Sequence, residues 1–332
     1  MKSVTVSAPG KIHLMGEHAI VYGNPALLSA IDLRLSVTIV DYGEKENEVI
    51  PKKSAKRISQ AIAIIRSNYS IANPTPVQVS IFSDIPSGFH LGSSAAVAVA
   101  LTGALMKFDT DQFDREKINV IAYEVEKMFH GNPSGGDNTT ITHGGYILYQ
   151  KFSETDKQFT PMIFPDSLML GNFYLIHTGK PESTKEMIAS VKQLFEKDQR
   201  LKDRILIQNE QATKMVLEAI KNADEHLLIT GIRNGEKTLE AMGVVSDKAT
   251  LLIRDIEKLG GAAKILGGGG KKDGVGFLLC YDPSCHSDPD VVGRRISSMR
   301  ELVHTYGYTI QPVRLGESGV RVEAVPHDII AS

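Results

Sequence analysis

Lys11, His13, Glu17 and His18 stand within eight residues of one another near the start of the chain, interleaved with Gly10 and Gly16. So dense a mixture of ammonium, carboxylate and imidazole is unusual for a strand and turn that serve only a core. Residues 84–98 read Asp-Ile-Pro-Ser-Gly-Phe-His-Leu-Gly-Ser-Ser-Ala-Ala-Val-Ala, a turn rich in glycine and serine that feeds a helix just after Gly92. Such a helix start suits an anion: free N–H groups point outward, the dipole favours negative charge, and small side chains let a phosphate approach. Ser93 and Ser94 add hydroxyls that can cap the helix or reach a phosphate-bound metal. Taken alone, the loop fits equally well as a serine-capped helix with nothing bound. A third group runs from Glu126 to Asp137, with a carboxylate at each end of a helix-to-loop transition. The three groups together supply what phosphoryl transfer needs: a cation near the transferring group, oxygen ligands for Mg2+, and a carboxylate near the attacking hydroxyl.

General nucleotide motifs are missing. Neither G-x4-G-K-[ST] nor G-x-G-x-x-G occurs in the sequence, so P-loop and dinucleotide-binding folds lose their main support. The net charge of −2 leaves no electrostatic footprint for nucleic acid. No run approaches the roughly 18–20 apolar residues that span a bilayer, and Met1–Val6 lacks the apolar stretch of a leader. The expectation is therefore a cytoplasmic protein without nucleic-acid or membrane partners. Cys280 and Cys285, with His286 beside them, lack a second pair at metal-binding spacing and read as reduced, incidental thiols.

The elements that must position these residues follow from periodicity. Strands are expected at Val4–Ala8, running into a Pro9-Gly10 turn, and at Ala30–Asp41, Val77–Phe82 and Gly145–Lys151. Helices are expected at Ser54–Ser67, Ser94–Lys107 and Glu116–His130, the last ended by Gly131 and Pro133. The charged stretch Glu44–Arg57 is expected to include a mobile loop. In the second half, Thr184–Gln199, Asp203–Asn222, His226–Met242 and Asp247–Leu259 read as amphipathic helices. Strands at Ala263–Leu266 and Gly276–Tyr281 flank a loop rich in glycine and lysine. A helix near Pro289–Tyr306 and strands near Thr309–Leu315 and Val320–Val325 close the chain. This mixture predicts an α+β fold in two lobes, at 332 residues too large for one ordinary core. The break at Gly179-Lys180-Pro181 divides it into residues 1–182 and 183–332.

At this point the residues resemble the GHMP kinase superfamily and, within it, the mevalonate kinases. The motifs occur in the family's order. The first is Pro9-Gly-Lys-Ile-His-Leu-Met-Gly-Glu-His-Ala-Ile-Val-Tyr-Gly23, the second Ile85-Pro-Ser-Gly-Phe-His-Leu-Gly-Ser-Ser-Ala-Ala96, and the third position falls at Lys264–Lys271. Between the last two, His130-Gly-Asn-Pro-Ser-Gly-Gly-Asp-Asn138 matches the segment that carries the family's catalytic aspartate. The resemblance covers roughly residues 4–280. It implies an amino-terminal, ATP-binding lobe like domain 2 of ribosomal protein S5 and a ferredoxin-like carboxy-terminal lobe. It also implies transfer of the ATP γ-phosphate to the C5 hydroxyl of (R)-mevalonate in isoprenoid precursor synthesis, with Mg2+ as cofactor. The family is compatible with a homodimer.

Carried over by position, Pro86, Ser87, Gly88, Phe89, His90, Leu91, Gly92, Ser93, Ser94, Ala95 and Ala96 would wrap the ATP phosphates. Ser94 and Glu126 match the Mg2+ ligands, Asp137 the catalytic aspartate and Lys11 the lysine beside it. Glu17 and His18 match positions lining the mevalonate pocket. An adjacent ammonium would favour the ionised form of Asp137 and offset charge on the transferring oxygens. Asp137 would either take the hydroxyl proton or chiefly orient the hydroxyl.

Plainer roles stand beside these: Lys11 as a solvated lysine, and Glu126 as a surface carboxylate with Glu124 able to serve instead. His13 reads as a packed strand histidine, and His130 and Asn132 as residues that end a helix and shape a turn. Two departures from the family pattern matter. His90 replaces a glycine of the second motif, restricting the backbone and either facing the phosphates or pointing to solvent. Leu266 replaces the hydroxyl residue of the third motif, while Lys271 and Lys272 are gained. Another small-molecule kinase of this superfamily, acting on phosphomevalonate, homoserine or a sugar, and a non-catalytic relative are the alternatives.

Overall fold

The computed structural model describes residues 2–41, 55–69, 74–131, 133–153, 156–162, 172–272, 274–283 and 298–324. Helix and antiparallel sheet are mixed throughout, as the α+β expectation requires. The chain forms two compact units: Met1–Lys11, Ser29–Gly145 and Gly316–Ser332 make unit 1, and Ile12–Leu28 with Tyr146–Leu315 make unit 2. Most of Glu44–Arg57, Asn132, and Cys285 with His286 lie outside the described residues.

In unit 1, strand β1 (Ser3–Met15) pairs with β10 (Arg321–Glu323), and β2 (Ala26–Asp41) pairs with β3 (Val77–Ser83), both antiparallel. Each of β1 and β2 contributes residues to both units. Helices α1 (Ala55–Ser67), α2 (Ser93–Thr110), α3 (Arg115–His130) and α4 (Gly136–His143) belong to unit 1. The alanine-rich α2 is buried on nearly every face, which makes it the core helix against which α1, α3 and α4 pack. α3 instead buries a single stripe, Ile118, Ile121, Ala122 and Val125. The side chain of Asp114 caps its start by accepting from the N–H groups of Glu116 and Lys117 at 3.0 and 3.2 Å.

One expectation is corrected here. Pro9-Gly10 is no turn; β1 runs through it. The N–H of Lys11 donates to the carbonyl of Leu91 at 3.0 Å, and a Cβ on Gly10 would come within 3.0 Å of that oxygen. The glycine therefore permits close backbone approach rather than a reversal. Helix α4 is also new, since the segment around Asp137 reads as loop in sequence.

In unit 2, β6 (Asn172–His177), β7 (Ala262–Ile265), β8 (Phe277–Asp282) and β9 (Thr309–Val313) form an antiparallel sheet in the order β7-β8-β6-β9. β4 (Tyr146–Lys151) pairs antiparallel with β5 (Lys157–Met162), the end of the strand order β10-β1-β2-β4-β5. Helices α5 (Thr184–Lys197), α6 (Gln199–Asn222), α7 (Glu225–Ala241) and α8 (Asp247–Lys258) fall where amphipathic periodicity places them. Their apolar stripes meet the sheet in a core that includes Val191, Ile205, Leu239, Ile253 and Leu278. Residues 298–305 are helical, the described part of the helix expected near 289–306. Cys280 is buried in this core, which pushes its thiol pKa up and suits an unreactive cysteine. Among the described residues no helix is long and apolar enough to cross a membrane.

Candidate active site

The helices that carry Ser94 and Asp137 begin differently from their neighbours. α3, α6, α7 and α8 are capped by aspartate or serine side chains, whereas α2 and α4 start at Gly92 and Gly135, with φ of 79° and 88° and no side-chain cap. The first turn of α2 thus has no N-cap side chain, in α4 the Ser134 hydroxyl accepts the Gly136 N–H at 3.1 Å, and the left-handed glycines turn the preceding loop sharply into each helix. A Cβ on Gly92 would lie 2.9 Å from Lys11 Cγ and 3.0 Å from Ile141 Cδ1, so the residue must be glycine for Lys11 to pass.

Four of the residues singled out from sequence gather around this point of unit 1. Lys11 Nζ pairs with Asp137 Oδ1 at 3.0 Å; the lysine side chain is 5% exposed and the aspartate 37%. Asp137 sits in the first turn of α4, where the helix dipole favours its negative charge. Glu126, only 4% exposed, approaches the end of α3 and interacts with Asp137, Ser94 and Lys11. Burial above all, then the charge of Asp137, pushes its pKa up to about 7 against the pull of Ser94 and Lys11. Its Oε1 atom is buried without a hydrogen-bond partner among the described residues. Glu124, the alternative carboxylate, is instead surface-exposed and paired with Lys127.

The loop before α2 is held by short-range contacts. Ser87 and Ser93 hydroxyls lie 3.3 Å apart, Gly88 has φ of 86°, and His90 occupies a left-handed conformation at φ 63°. The sequence treats His130 as a helix stop; it also hydrogen-bonds the Ser94 hydroxyl through Nε2 at 2.8 Å.

Glu17 and His18 belong to unit 2, and both reach the β7 region. The Glu17 carboxylate accepts a charged hydrogen bond from Lys264 Nζ, and both side chains are almost wholly buried. Lys264 also donates to the carbonyls of Ile265 at 2.8 Å and His13 at 3.3 Å. His18 Nε2 lies 3.1 Å from the Gly268 carbonyl, and burial lowers the imidazole pKa in spite of that bond. Leu266 is buried rather than presented to the loop. The amides of Lys271 and Lys272 donate to the Glu182 carboxylate, while Lys271 Nζ donates to Ser190.

Sequence reasoning missed two residues of this second group, Lys264 as a partner and Glu236. Glu236 lies on α7, is 0% exposed, and accepts the Ile265 N–H at 2.9 Å. A signal was present, because Glu236 falls four residues after Ile232 and three before Leu239, on the buried stripe of α7.

Residues 53–145 match the family described as GHMP kinases N terminal domain. The mevalonate kinase of Archaeoglobus fulgidus is 33% identical over 80% of this chain and 88% of its own length. That of Pyrococcus abyssi is 30% identical over 97% of this chain and 98% of its own. Among solved structures, that of the L. major mevalonate kinase in complex with R-mevalonate superposes with a TM-score of 0.73 at 21% identity, covering 94% of this chain and 95% of that one.

Proposed function

Since the chain belongs to the mevalonate kinase family of the GHMP kinases, we propose that it transfers the γ-phosphate of ATP to the C5 hydroxyl of (R)-mevalonate, giving 5-phosphomevalonate and ADP. The observation that carries the assignment of groups is the Lys11–Asp137 pair beside buried Glu126 and Ser94, at a helix start without a capping side chain. The free N–H groups of α2 and the loop Pro86–Ala96 bind the triphosphate. Lys11 offsets charge on the transferring oxygens while holding Asp137 in place. Asp137 orients the acceptor hydroxyl and takes its proton as the new P–O bond forms and the bond to ADP breaks. Because the transition state is loose, orientation is the larger part of that contribution. Glu17 and His18 are assigned to the mevalonate end.

Glu126 and Ser94 fit a divalent cation. The buried carboxylate has an unsatisfied oxygen, and the cost of its charge is of the kind a cation removes. Among the described residues no three His, Cys, Asp or Glu side chains form a cluster for a metal, but Mg2+ held on phosphates needs only one or two protein oxygens. Mg2+ bound there would neutralise phosphate charge. A water-soluble nucleotide and acceptor suit a cytoplasmic enzyme.

The test is turnover of MgATP with mevalonate, phosphomevalonate, homoserine and galactose, for the native chain and for Asp137→Asn. Mevalonate is expected to be the preferred acceptor, and Asp137→Asn to lower kcat by about 10²–10⁴-fold with little change in the KM for ATP. Activity confined to a sugar would sink the acceptor assignment, and unchanged turnover in Asp137→Asn would sink the assignment of the site.

A further inference from the structure

We propose that Glu236 is a positioning residue for the acceptor end of the site, acting through Lys264 to fix the Glu17–His18 segment; this rests on the assignment of Glu17 and His18 to mevalonate.

Three charged side chains from separate parts of the chain meet inside unit 2. Glu236 comes from α7, Lys264 from β7 and Glu17 from the turn after β1, and they are 0%, 1% and 4% exposed. The Lys264 ammonium pairs with Glu17, and the Glu236 carboxyl lies near enough to interact electrostatically with both. With both carboxylates ionised the cluster would hold an uncompensated buried charge, which is strongly disfavoured. Burial raises the Glu236 pKa well above the ordinary carboxylate range, more than Lys264 lowers it, with Glu240 and Glu17 adding to the rise. The neutral acid leaves Lys264 to pair with Glu17.

The hydrogen bonds give Glu236 leverage on that pair. Its Oε2 accepts the N–H of Ile265, the residue next to Lys264, at the end of the edge strand β7. The ammonium of Lys264 spans the Ile265 carbonyl, the His13 carbonyl and Glu17. Immediately beyond, the glycine loop offers the Gly268 carbonyl to His18. Thus adjacent residues, Glu17 and His18, are tied to β7 and to the glycine loop after it, and Glu236 accepts the amide at the end of the strand between them.

The segment so held is constrained on its own account. His18 has φ of 58°, rare for a residue with a side chain, and Gly16 has φ of 98° with Ala26 packed against it. A backbone in such a conformation persists only where surrounding contacts over-determine it. A purely structural Glu236, satisfying an edge amide of β7, would need no lysine beside it and no link to the acceptor segment.

The experiment compares Glu236→Ala and Glu236→Gln in the full chain. Thermal unfolding first identifies the folded variants. Steady-state kinetics with mevalonate and MgATP then give the KM for each substrate and kcat, while 15N imidazole shifts report His18, assigned by loss of its signal in His18→Gln. Glu236→Ala is expected to raise the KM for mevalonate about tenfold, with kcat and the KM for ATP within about twofold, and to move the His18 shifts. Glu236→Gln keeps a neutral acceptor for the Ile265 N–H and is expected to restore both.

A folded Glu236→Ala protein with unmoved His18 shifts and unchanged mevalonate KM overturns the proposal, leaving Glu236 as a strand-edge acceptor. So does a kcat loss that Glu236→Gln fails to rescue. If Glu236→Ala does not fold, the Gln variant decides: wild-type shifts and KM support the neutral-acid role, and a raised KM overturns it. A native chain that turns over no mevalonate, but whose His18 shifts still respond to Glu236→Ala, overturns the acceptor assignment and not the coupling.

Discussion

Glu126 and Lys264 show how differently two buried charges are handled. Glu126 has one unsatisfied oxygen and a pKa raised to about 7 by burial and by Asp137. Its folded pKa therefore lies above the unfolded value, so the native state holds the proton more tightly. Below about pH 4.5 both states are protonated and no penalty exists; between there and pH 7 the unfolded state ionises first and stability is lost. In protein free of metal and nucleotide, Glu126→Gln is predicted to be neutral near pH 4 and stabilising by up to about 3 kcal/mol near pH 8. Denaturant unfolding across that range measures it, and a difference independent of pH would show that Glu126 is not so perturbed. Lys264 is compensated instead, by Glu17 and two carbonyls. Lys264→Met strands the Glu17 carboxylate and is predicted to cost about 3–5 kcal/mol. Adding Glu17→Gln is expected to recover part of that loss, and full additivity of the two would argue against their coupling.

At the level of elements, the residues proposed to act stand where helices begin and where strands end. α2 is held in place by burial on nearly all sides, so its first turn is a rigid platform and its glycine cap a fixed approach for the loop. Two glycines of that loop separate backbone strain from crowding. Gly88 has φ of 86° with open space where a Cβ would stand, whereas Gly92 has φ of 79° with Lys11 and Ile141 in the way. Gly88→Ala is predicted to destabilise by about 1 kcal/mol, the cost of the left-handed conformation alone. Gly92→Ala should cost more, about 2–4 kcal/mol, and should raise the KM for ATP because Lys11 must move. Equal costs in chemical unfolding would mean that the crowding is relieved without consequence. His90 already bears the left-handed strain at φ 63°, a conformation that glycine adopts more readily.

For the whole molecule, binding must appear as stability. A ligand that binds the folded chain alone adds RT ln(1 + [L]/Kd), about 2.7 kcal/mol at 100 times its Kd. MgATP at that excess is predicted to raise the unfolding free energy by this amount, and ATP with a chelator to give distinctly less if Glu126 and Ser94 hold the metal. A midpoint indifferent to MgATP would contradict nucleotide binding. Unit 1 carries Lys11, the loop 86–96, Glu126 and Asp137, and unit 2 carries Glu17, His18, Lys264 and Glu236. Because β1 contributes to both, the short motif Pro9–Gly23 is split between them, with Lys11 in one and Glu17 in the other.

The sequence by itself determined the class of the fold, the extents of most helices to within a few residues, and the family. Helical periodicity and the short motifs that carry Lys11, Gly92, Ser94, Glu126 and Asp137 are local properties, legible without knowing what packs on what. It did not reveal that Pro9-Gly10 continues a strand, because the strand is held by its place between β10 and β2 in the sheet and by the Lys11 N–H bond to Leu91, all distant in sequence. Nor did it reveal α4, a helix of eight residues started by Gly135 rather than by a side-chain cap. Only the tertiary structure decided that His130 bonds Ser94 and that Glu17 belongs to Lys264. It alone placed Glu236, a carboxyl on an apolar stripe, where burial holds its proton and the Ile265 N–H satisfies one oxygen. Electrostatic partnership depends on distance through space and on exclusion of water, and neither is written in the spacing of residues along the chain.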